Sequence, residues 1–179
     1  MQLLNKQQTL DIKEEIISAI KAGKIFIYPT DTIYGMGCDA TNPDAVKKLR
    51  EIKNREAKPF SVIAPSKEWI IDHYSFKKED ALDILPGPYT LIFNKSNKEV
   101  VAPNVFFDAL PGVRIPNNWF AEIVSEAGIP FVTTSVNITG QKNMESLEDV
   151  PEEILHKVDY VIYEGPIYGK QSTRVDLTV

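Results

Sequence analysis

The stretch Asp11–Tyr28, DIKEEIISAIKAGKIFIY, decides the class of fold because it carries two different hydrophobic patterns in succession. From Asp11 to Ala22 the apolar residues recur at the three- and four-residue spacing of an amphipathic helix, with Asp11 as its N-cap and Gly23 at its C′ position. Ile25–Tyr28 is then a short, β-prone apolar run closed by a proline, which predicts a buried strand. A helix that leads into a buried strand is the basic unit of an α/β protein.

The same alternation of helices and strands continues toward the C terminus. Helices are predicted over Pro43–Lys53 with Asn42 as cap, Lys67–His73, Asn118–Ala127 with Gly128 as its end, and the helix-compatible stretch Leu147–His156. Strands are predicted at Phe60–Ala64, Tyr89–Phe93, Val113–Ile115, Ile129–Val136, Tyr160–Tyr163 and Thr173–Val179. No repeat or Gly/Ser linker divides the sequence, so residues 1–179 are expected to form a single domain. Several connections are too irregular for a strictly parallel sheet, and we therefore expect a mixed, open sheet flanked by helices.

The composition excludes several classes of protein. The 179 residues are 43% hydrophobic, which suffices for the core of one domain, and the net charge of −5 gives no overall attraction to nucleic acid or to an anionic membrane. The longest apolar run is far shorter than a membrane span, and Met1–Asp11 lacks a signal-type apolar stretch, so we expect a cytoplasmic protein. One cysteine, Cys38, and two distant histidines give neither an internal disulfide nor a recognisable zinc spacing.

A local excess of positive charge lies between the helix that ends at Lys53 and the next strand. Residues 47–58 contain six cations and two acids, in a chain whose net charge is negative. These cations either complement the helix C terminus on a solvated face or form a phosphate clamp. Because the loop with Lys53, Arg55 and Lys58 falls at the edge of an open sheet, where α/β proteins usually bind ligands, its position favours the clamp.

The segment Gly35–Ala40, GMGCDA, matches the loose dinucleotide-binding pattern G-x-G-x-x-A. That pattern requires a strand that turns directly into a helix, whereas six residues separate Tyr28 from Gly35 and the next helix begins only at Pro43. We therefore interpret the glycines as positions of close backbone approach or positive φ. No G-x-x-x-x-G-K-[ST] motif occurs, which excludes a P-loop.

Small hydrogen-bonding side chains stand at two predicted strand ends. The run at 133–137, TTSVN, is either a strand end closed by a turn or a strand tip that presents Ser135 and Asn137 to a ligand, since residues two apart share a face. The pair Ser172 and Thr173 likewise stands at the start of the last predicted strand. Arg114 stands in an apolar segment and needs an anionic partner, which is either a protein carboxylate or a ligand.

Taken in order, these segments resemble the YrdC/TsaC family, the L-threonylcarbamoyladenylate synthases of tRNA modification. The resemblance covers Ile25 to Leu177. It rests on several short motifs in a fixed order, each of which is unspecific when taken alone. The matching segments are Pro29–Gly37 (PTDTIYGMG), Lys53-x-Arg55 with Lys58, Pro86–Thr90 (PGPYT), Val113–Pro116 (VRIP), Ser135-x-Asn137 and Ser172–Thr173. The resemblance implies a YrdC-like twisted sheet with a positively charged concave face.

The resemblance also implies a reaction and a set of site residues. L-threonine, bicarbonate and ATP, with Mg²⁺ accompanying the nucleotide, would condense to threonylcarbamoyladenylate and pyrophosphate, and partner proteins would take the product to tRNA. The ATP site would comprise Lys53, Arg55, Lys58, Ser135, Asn137 and Asn143, of which Lys53 and Arg55 would be the catalytic, charge-stabilising residues. The L-threonine site would comprise Thr30, Arg114, Thr133, Ser172 and Thr173, with Arg114 facing the carboxylate. No side chain is assigned as a metal ligand.

Two alternatives fit the same fold. A non-catalytic RNA-binding module could use a basic concave face, but the net charge of −5 and the scarcity of aromatic residues among the clustered cations argue against a platform that stacks bases. A carbamoyladenylate-forming relative would share the nucleotide chemistry without a requirement for threonine. The dependence of pyrophosphate release on threonine separates all three functions.

Overall fold

A computed structural model describes residues 1–76, 79–96 and 98–178, and within these ranges nine short strands form one sheet. The strands are β1 (Gln2–Leu4), β2 (Phe26–Tyr28), β3 (Gly35–Gly37), β4 (Ser61–Ile63), β5 (Tyr89–Ile92), β6 (Gly112–Arg114), β7 (Phe131–Ser135), β8 (Tyr160–Ile162) and β9 (Thr173–Asp176). The helices are α1 (Lys6–Asp11), α2 (Lys13–Lys21), α3 (Pro43–Lys53), α4 (Lys67–His73), α5 (Pro103–Phe106), α6 (Trp119–Ala127) and α7 (Glu152–Leu155). Two 3₁₀ turns cover Glu79–Leu82 and Leu147–Asp149.

The sheet is mixed, as predicted. Its strand order is β1-β8-β2-β3-β7-β4-β6-β5-β9. The pairs β1/β8, β2/β8, β4/β6 and β5/β9 are parallel, while β2/β3, β3/β7, β4/β7 and β5/β6 are antiparallel. None of the helices in the described part of the chain is long and apolar enough to cross a bilayer.

Apolar side chains form two clusters, one on each face of the sheet. The first cluster packs α3 against the sheet through Val46, Leu49 and Ile52. The second packs α2 and α6 against the other face, where the aromatic rings of Tyr28 and Phe120 stack with centroids 4.6 Å apart. Successive strand residues point to opposite faces, so the near-continuous apolar runs in the sequence supply both clusters.

The first predicted helix begins earlier than expected and has two parts. The prediction that Asp11 is an N-cap is wrong, because Asp11 ends α1. Asn5 caps α1 through a capping box with Gln8, and the backbone then leaves helical geometry at Ile12 before α2 begins. Gly23, with φ of 72°, has the positive φ expected after a helix C terminus.

The structure contains strands that the sequence did not indicate. Gly35–Gly37 is β3, in the middle of the sheet, and a Cβ atom on Gly37 would overlap the carbonyl oxygen of Val132. Close backbone approach, one of the two interpretations left open for these glycines, is therefore confirmed for Gly37. At the far edge, β1 is also new, while β9 ends at Asp176 rather than at Val179, which lies outside the described residues.

The predicted helix Leu147–His156 is not continuous. A 3₁₀ turn at Leu147–Asp149 is separated from α7 by Pro151, which lies at the N-cap of α7 and has no N–H to donate. The remaining predicted helices and strands agree with the structure to within two residues at each end.

Candidate functional site

A cavity of about 240 Å³ opens on the face of the sheet that carries the second apolar cluster. Ser61 and Thr133 line it, and each lies two residues from a member of that cluster on the same strand, Ile63 and Phe131. The other lining residues are Thr30, Thr32, Ile33, Tyr34, Gly35, Arg55, Pro59, Phe60, Thr90, Arg114, Thr134, Ser135, Gln171, Ser172 and Arg174. Among the lining residues that the structure describes are three arginines and no carboxylate, so the cavity suits an anionic ligand.

Arg114 is held at the cavity wall by a turn that precedes β3. Its Nη2 donates to Asp31 at 2.5 Å and its Nη1 donates to Thr32 Oγ1 at 3.2 Å, while Asp31 also accepts from the backbone N–H of Asn117. Both side chains of the ion pair are nearly buried. Burial lowers the pKa of Arg114 and Asp31 opposes that shift, so the guanidinium stays charged. The buried Nε finds no hydrogen-bond partner among the described residues.

Thr30 fixes the same turn from the inside. Its Oγ1 donates to the carbonyl oxygen of Ile33 at 2.7 Å and accepts from the backbone N–H of Thr32 at 3.1 Å. A hydroxyl that bonds its own backbone in this way stabilises a turn. Thr30 therefore shapes the turn next to Arg114 and lines the cavity, while its hydroxyl is hydrogen-bonded within the turn.

Arg55 supplies another positive charge to the cavity lining. Its Nη2 donates to the carbonyl oxygen of Pro59 at 2.7 Å and its Nε donates to that of Lys58 at 3.3 Å. Both acceptors are neutral, and no carboxylate in the described ranges pairs with this guanidinium. Burial lowers the pKa of Arg55, yet an arginine remains a cation, so an uncompensated charge faces the cavity.

Arg50, one helical turn before the loop, shapes the backbone that carries Arg55. Its Nη1 donates to the carbonyl oxygens of Lys58 at 2.9 Å and Arg55 at 3.2 Å. Its planar group lies between the rings of Phe60 and Phe107, at 4.3 and 4.4 Å from their centroids. Burial, with Arg55 nearby, lowers the pKa of Arg50 to about 10. Arg50 is therefore buried in the fold and holds the loop in shape.

Lys53 lies behind the cavity rather than in its lining. The side chain is fully buried, and Nζ donates to the carbonyl oxygens of Ser135 and Asn137 at 2.5 and 2.9 Å and to Asn137 Oδ1 at 2.8 Å. These three acceptors use all three N–H groups of an ammonium. Burial, with a smaller contribution from Arg55, lowers the pKa of Lys53 to about 7. The cation cluster and the Ser-x-Asn segment thus form one hydrogen-bonded unit.

The segment 163–172 crosses the sheet from β8 to β9 and closes one side of the cavity. The hydroxyl of Tyr34 donates to the carbonyl oxygen of Gly165 at 2.6 Å, and a Cβ atom on Gly169 would overlap the carbonyl oxygen of Thr32. At its end, the hydroxyl groups of Ser172 and Thr90 are 2.7 Å apart. This crossing segment brings the last predicted motif next to Arg114 and Thr30.

The structure gathers part of the predicted site at the cavity. The predicted residues that line it are Thr30, Arg55, Arg114, Thr133, Ser135 and Ser172. Lys53 and Asn137 stand behind this lining, Asn143 accepts from Asn137 Nδ2 at 3.3 Å, and the exposed Lys58 and Thr173 lie outside it. Ligand contacts for all of these residues stay predictions.

Thr32, Thr90, Gln171 and Arg174 line the cavity without having been predicted. The sequence did contain a signal for Arg174, because it lies two residues after Ser172 and residues two apart on a strand share a face. Thr90 stands inside a matching segment of the sequence, but its direction depends on the pairing of β5. No cluster of three or more His, Cys, Asp or Glu side chains that could hold a metal ion occurs within the described ranges.

The fold and the cavity together define a YrdC-like α/β protein: a mixed sheet between two helical layers, with an arginine-lined cavity on one face. The chain belongs to the Sua5/YciO/YrdC family, whose model, described as telomere recombination, matches residues 18–179. This match includes every lining residue of the cavity.

Relatives from archaea and bacteria support this membership. A protein of Methanocaldococcus jannaschii, whose name gives threonylcarbamoyl-AMP synthase as a provisional assignment, is 36% identical over 181 residues, covering 97% of this chain and 84% of its own length. The threonylcarbamoyl-AMP synthase of Vibrio campbellii is 33% identical over 149 residues, covering 79% and 80%. The crystal structure of P. abyssi Sua5 complexed with L-threonine is similar with a TM-score of 0.84 and 29% identity, over 98% of this chain. This chain spans about half of that longer protein, 54% of its length.

Proposed function

We propose that this protein condenses L-threonine, bicarbonate and ATP to threonylcarbamoyladenylate and pyrophosphate. Relatives named threonylcarbamoyl-AMP synthase cover most of the chain, and Sua5, of the same fold, binds L-threonine. The observation that carries the proposal is the chemistry of the cavity, which combines cations for anionic groups with hydroxyl groups for an amino acid.

The two kinds of ligand occupy different parts of the cavity lining. L-threonine lies beside Arg114, Thr30 and Ser172, with its carboxylate on the guanidinium and its hydroxyl within reach of the two hydroxyl side chains. Thr133 and Thr173 complete this end. A guanidinium binds carboxylate oxygens through charge-assisted hydrogen bonds.

The phosphates of ATP lie beside Arg55 at the other end. Ser135 presents its hydroxyl from the end of β7, with Asn137 and Asn143 next to it on the nucleotide side, and Lys58 approaches from the exposed loop. Lys53 supports this end from below, through the carbonyl oxygens that its ammonium binds. The ammonium group of Lys53 can therefore stabilise the phosphate end of the cavity at short range although it is buried.

The reaction needs positioning and charge neutralisation more than a protein nucleophile. The neutral amine of threonine forms a bond to the carbon of bicarbonate, the C–OH bond of bicarbonate breaks, and the hydroxide leaves as water with one proton of the amine. One oxygen of the resulting carbamate attacks the α-phosphorus of ATP, the bond from that phosphorus to the bridging oxygen breaks, and pyrophosphate departs with its electron pair. Arg55 stabilises the negative charge of the departing phosphates. The cavity aligns the two reactants and thereby lowers the entropic part of the barrier.

Mg²⁺ accompanies the nucleotide as part of the substrate. No carboxylate lines the described part of the cavity, so the ion is held by phosphate oxygens and water rather than by protein ligands, as Mg²⁺ often is. We further propose that the reaction takes place in the cytoplasm and that partner proteins transfer the product to tRNA. Any contact with RNA is weak, in keeping with the net charge of −5.

The test is mass spectrometry of a reaction that contains ATP, L-threonine and bicarbonate. We expect pyrophosphate and an AMP-linked threonylcarbamoyl product, both of which disappear when either threonine or bicarbonate is omitted. Pyrophosphate release without threonine would point to the carbamoyladenylate-forming alternative. Absence of any nucleotide turnover together with RNA binding would favour the RNA-binding alternative, and ADP with phosphate would remove the assignment.

A further inference from the structure

We infer that Arg174 is a further substrate-binding residue, and that it holds the anionic O–C–O group of bicarbonate and then of the carbamate made from it. This inference rests on the proposed function. It starts from the register of the sheet, which places Arg174 in a row with two residues that line the cavity.

Arg174 on β9 pairs with Thr90 on β5. The antiparallel register of β5 and β6 pairs Leu91 with Val113, and one further residue along this register Thr90 lies opposite Arg114. Residues paired across strands project to the same face, and neighbouring strands are about 5 Å apart. Arg174, Thr90 and Arg114 therefore form one row on the cavity face, with the two guanidinium groups on either side of a threonine.

The two arginines of this row differ in their charge environment. Arg114 is paired with Asp31, so this ion pair is neutral as a unit. Arg174 is exposed, lines the cavity and forms no ion pair with the residues that the structure describes. Arg174 therefore carries the uncompensated positive charge at this end of the cavity.

The substrates of this end carry more negative charge than Arg114 can neutralise. Threonine brings a carboxylate, and bicarbonate brings a second anion with the same O–C–O geometry. The carbamate keeps both negative groups once the threonine nitrogen has bonded to carbon and water has left. The planar fork of an arginine fits such a group through two parallel hydrogen bonds. With Arg114 assigned to the carboxylate of threonine, Arg174 is the guanidinium available for the second group.

An arginine on an edge strand can also serve to prevent pairing with other chains. Loss of an arginine with that role would affect no ligand in particular, whereas loss of the proposed contact should affect bicarbonate specifically. The experiment compares the wild-type chain with R174Q and R174K, and uses K170Q as control. Lys170 is exposed, lies four residues earlier and does not line the cavity, so K170Q removes the same charge without removing the proposed contact.

We expect R174Q to raise the half-saturating concentration of bicarbonate roughly tenfold or more, the effect of losing a charge-assisted contact. R174K, which keeps the charge without the fork, should fall between R174Q and the wild type. The affinity for ATP in equilibrium titration should change less than about threefold in each variant, because Arg174 is proposed to bind the group that attacks the α-phosphorus and not the phosphates themselves. K170Q should behave as the wild type throughout.

A second readout does not depend on turnover. The ¹³C signal of labelled bicarbonate should broaden in the presence of the wild type and K170Q, with threonine added, and should stay sharp with R174Q. If the wild type broadens the signal but makes no product, the proposed function fails and the bicarbonate site stands. If R174Q broadens the signal as the wild type does, or loses affinity for ATP instead, the inference is wrong and Arg174 is an edge residue or a phosphate ligand.

Discussion

The ammonium group of Lys53 donates a 2.8 Å hydrogen bond to Asn137 Oδ1, 84 residues further along the chain. This bond joins the end of α3 to the end of β7, the two segments that carry the Lys-x-Arg and Ser-x-Asn motifs. Since Lys53 also binds two backbone oxygens of the second segment, the motifs fold as one unit. A change in either segment should therefore affect the other.

The first prediction concerns the stability of this unit. Replacement of Lys53 by methionine removes the donor that binds two backbone oxygens and Asn137 Oδ1, of which Asn137 Oδ1 keeps only the Ser135 hydroxyl, so K53M should lower the free energy of unfolding by about 2 kcal/mol or more. In a double-mutant cycle with N137A, a coupling energy of about 1 kcal/mol or more is expected. Urea denaturation measures these values. K47M, on the exposed face of the same helix, is the control and should change stability by less than about 0.5 kcal/mol. Strict additivity of K53M and N137A would contradict the coupling.

The second prediction concerns pH. Burial lowers the pKa of Lys53 in the folded protein to about 7, whereas the unperturbed value is 10.5. Between these two values the unfolded chain binds a proton that the folded protein lacks, so the contribution of Lys53 to the free energy of unfolding increases with pH in this window and is constant below it. The difference in unfolding free energy between the wild type and K53M, measured from pH 6 to pH 9.5, should show this increase. A lysine ¹³Cε signal that titrates near pH 7 and is missing in K53M would identify the group directly, and a Lys53 signal that titrates only above pH 9 would refute the shift.

The third prediction assigns a positioning role to Arg50. Because Arg50 binds the carbonyl oxygens of Arg55 and Lys58, R50M should weaken ATP binding roughly tenfold although Arg50 does not line the cavity. R50K keeps the charge without the planar fork and the stacking on Phe60, and should recover only part of the affinity.

Titration of folded R50M and R50K with ATP and with threonine measures the effect of Arg50. A loss confined to ATP indicates a role in positioning the loop. An equal loss for both ligands would instead indicate a general loss of structure. K47M again serves as the control on the same helix.

The fourth prediction separates the two ends of the cavity. R55Q should weaken ATP binding about 10- to 150-fold and R114Q should weaken threonine binding by a similar factor, with less than about threefold effect on the other ligand. The reason is that the proposed function assigns Arg55 to the phosphates of ATP and Arg114 to the carboxylate of threonine. Isothermal titration with each ligand tests this division. If both folded variants lose both ligands equally, the division is wrong.

The fifth prediction concerns the choice of amino acid. Serine lacks one methyl group of threonine, and such a loss in an apolar pocket costs about 10- to 200-fold in kcat/KM. Valine lacks the hydroxyl and would lose every hydrogen bond that the site makes to it, so rejection of valine should be stronger than that of serine and reach up to about 10⁴-fold. Product formation with the three amino acids should follow the order threonine, serine, valine. Better use of valine than of serine would show that shape, rather than the hydroxyl, is recognised.

Local sequence determined much of the secondary structure and the family. Asn42 with Pro43, and Gly128 after α6, are capping signals that act over a few residues, and both helices have the predicted ends. By contrast, β3 is a glycine-rich strand with no local preference for extended structure, and it exists because β2 and β7 pair with it on both sides.

Tertiary structure alone decided what each cation of the cluster does. Arg50, Lys53 and Arg55 lie within six residues and look alike in the sequence, yet Arg50 braces the loop, Lys53 is buried under β7 and Arg55 faces the cavity. The acceptors of Arg50 and Lys53 include backbone oxygens 54 and 84 residues away, at Asn104 and Asn137. Neighbouring residues in the sequence determine on which side of a helix a residue lies and how much charge the segment carries. The partner of a buried charge is fixed by which distant segments the sheet brings together, because only those can replace the water that burial removes.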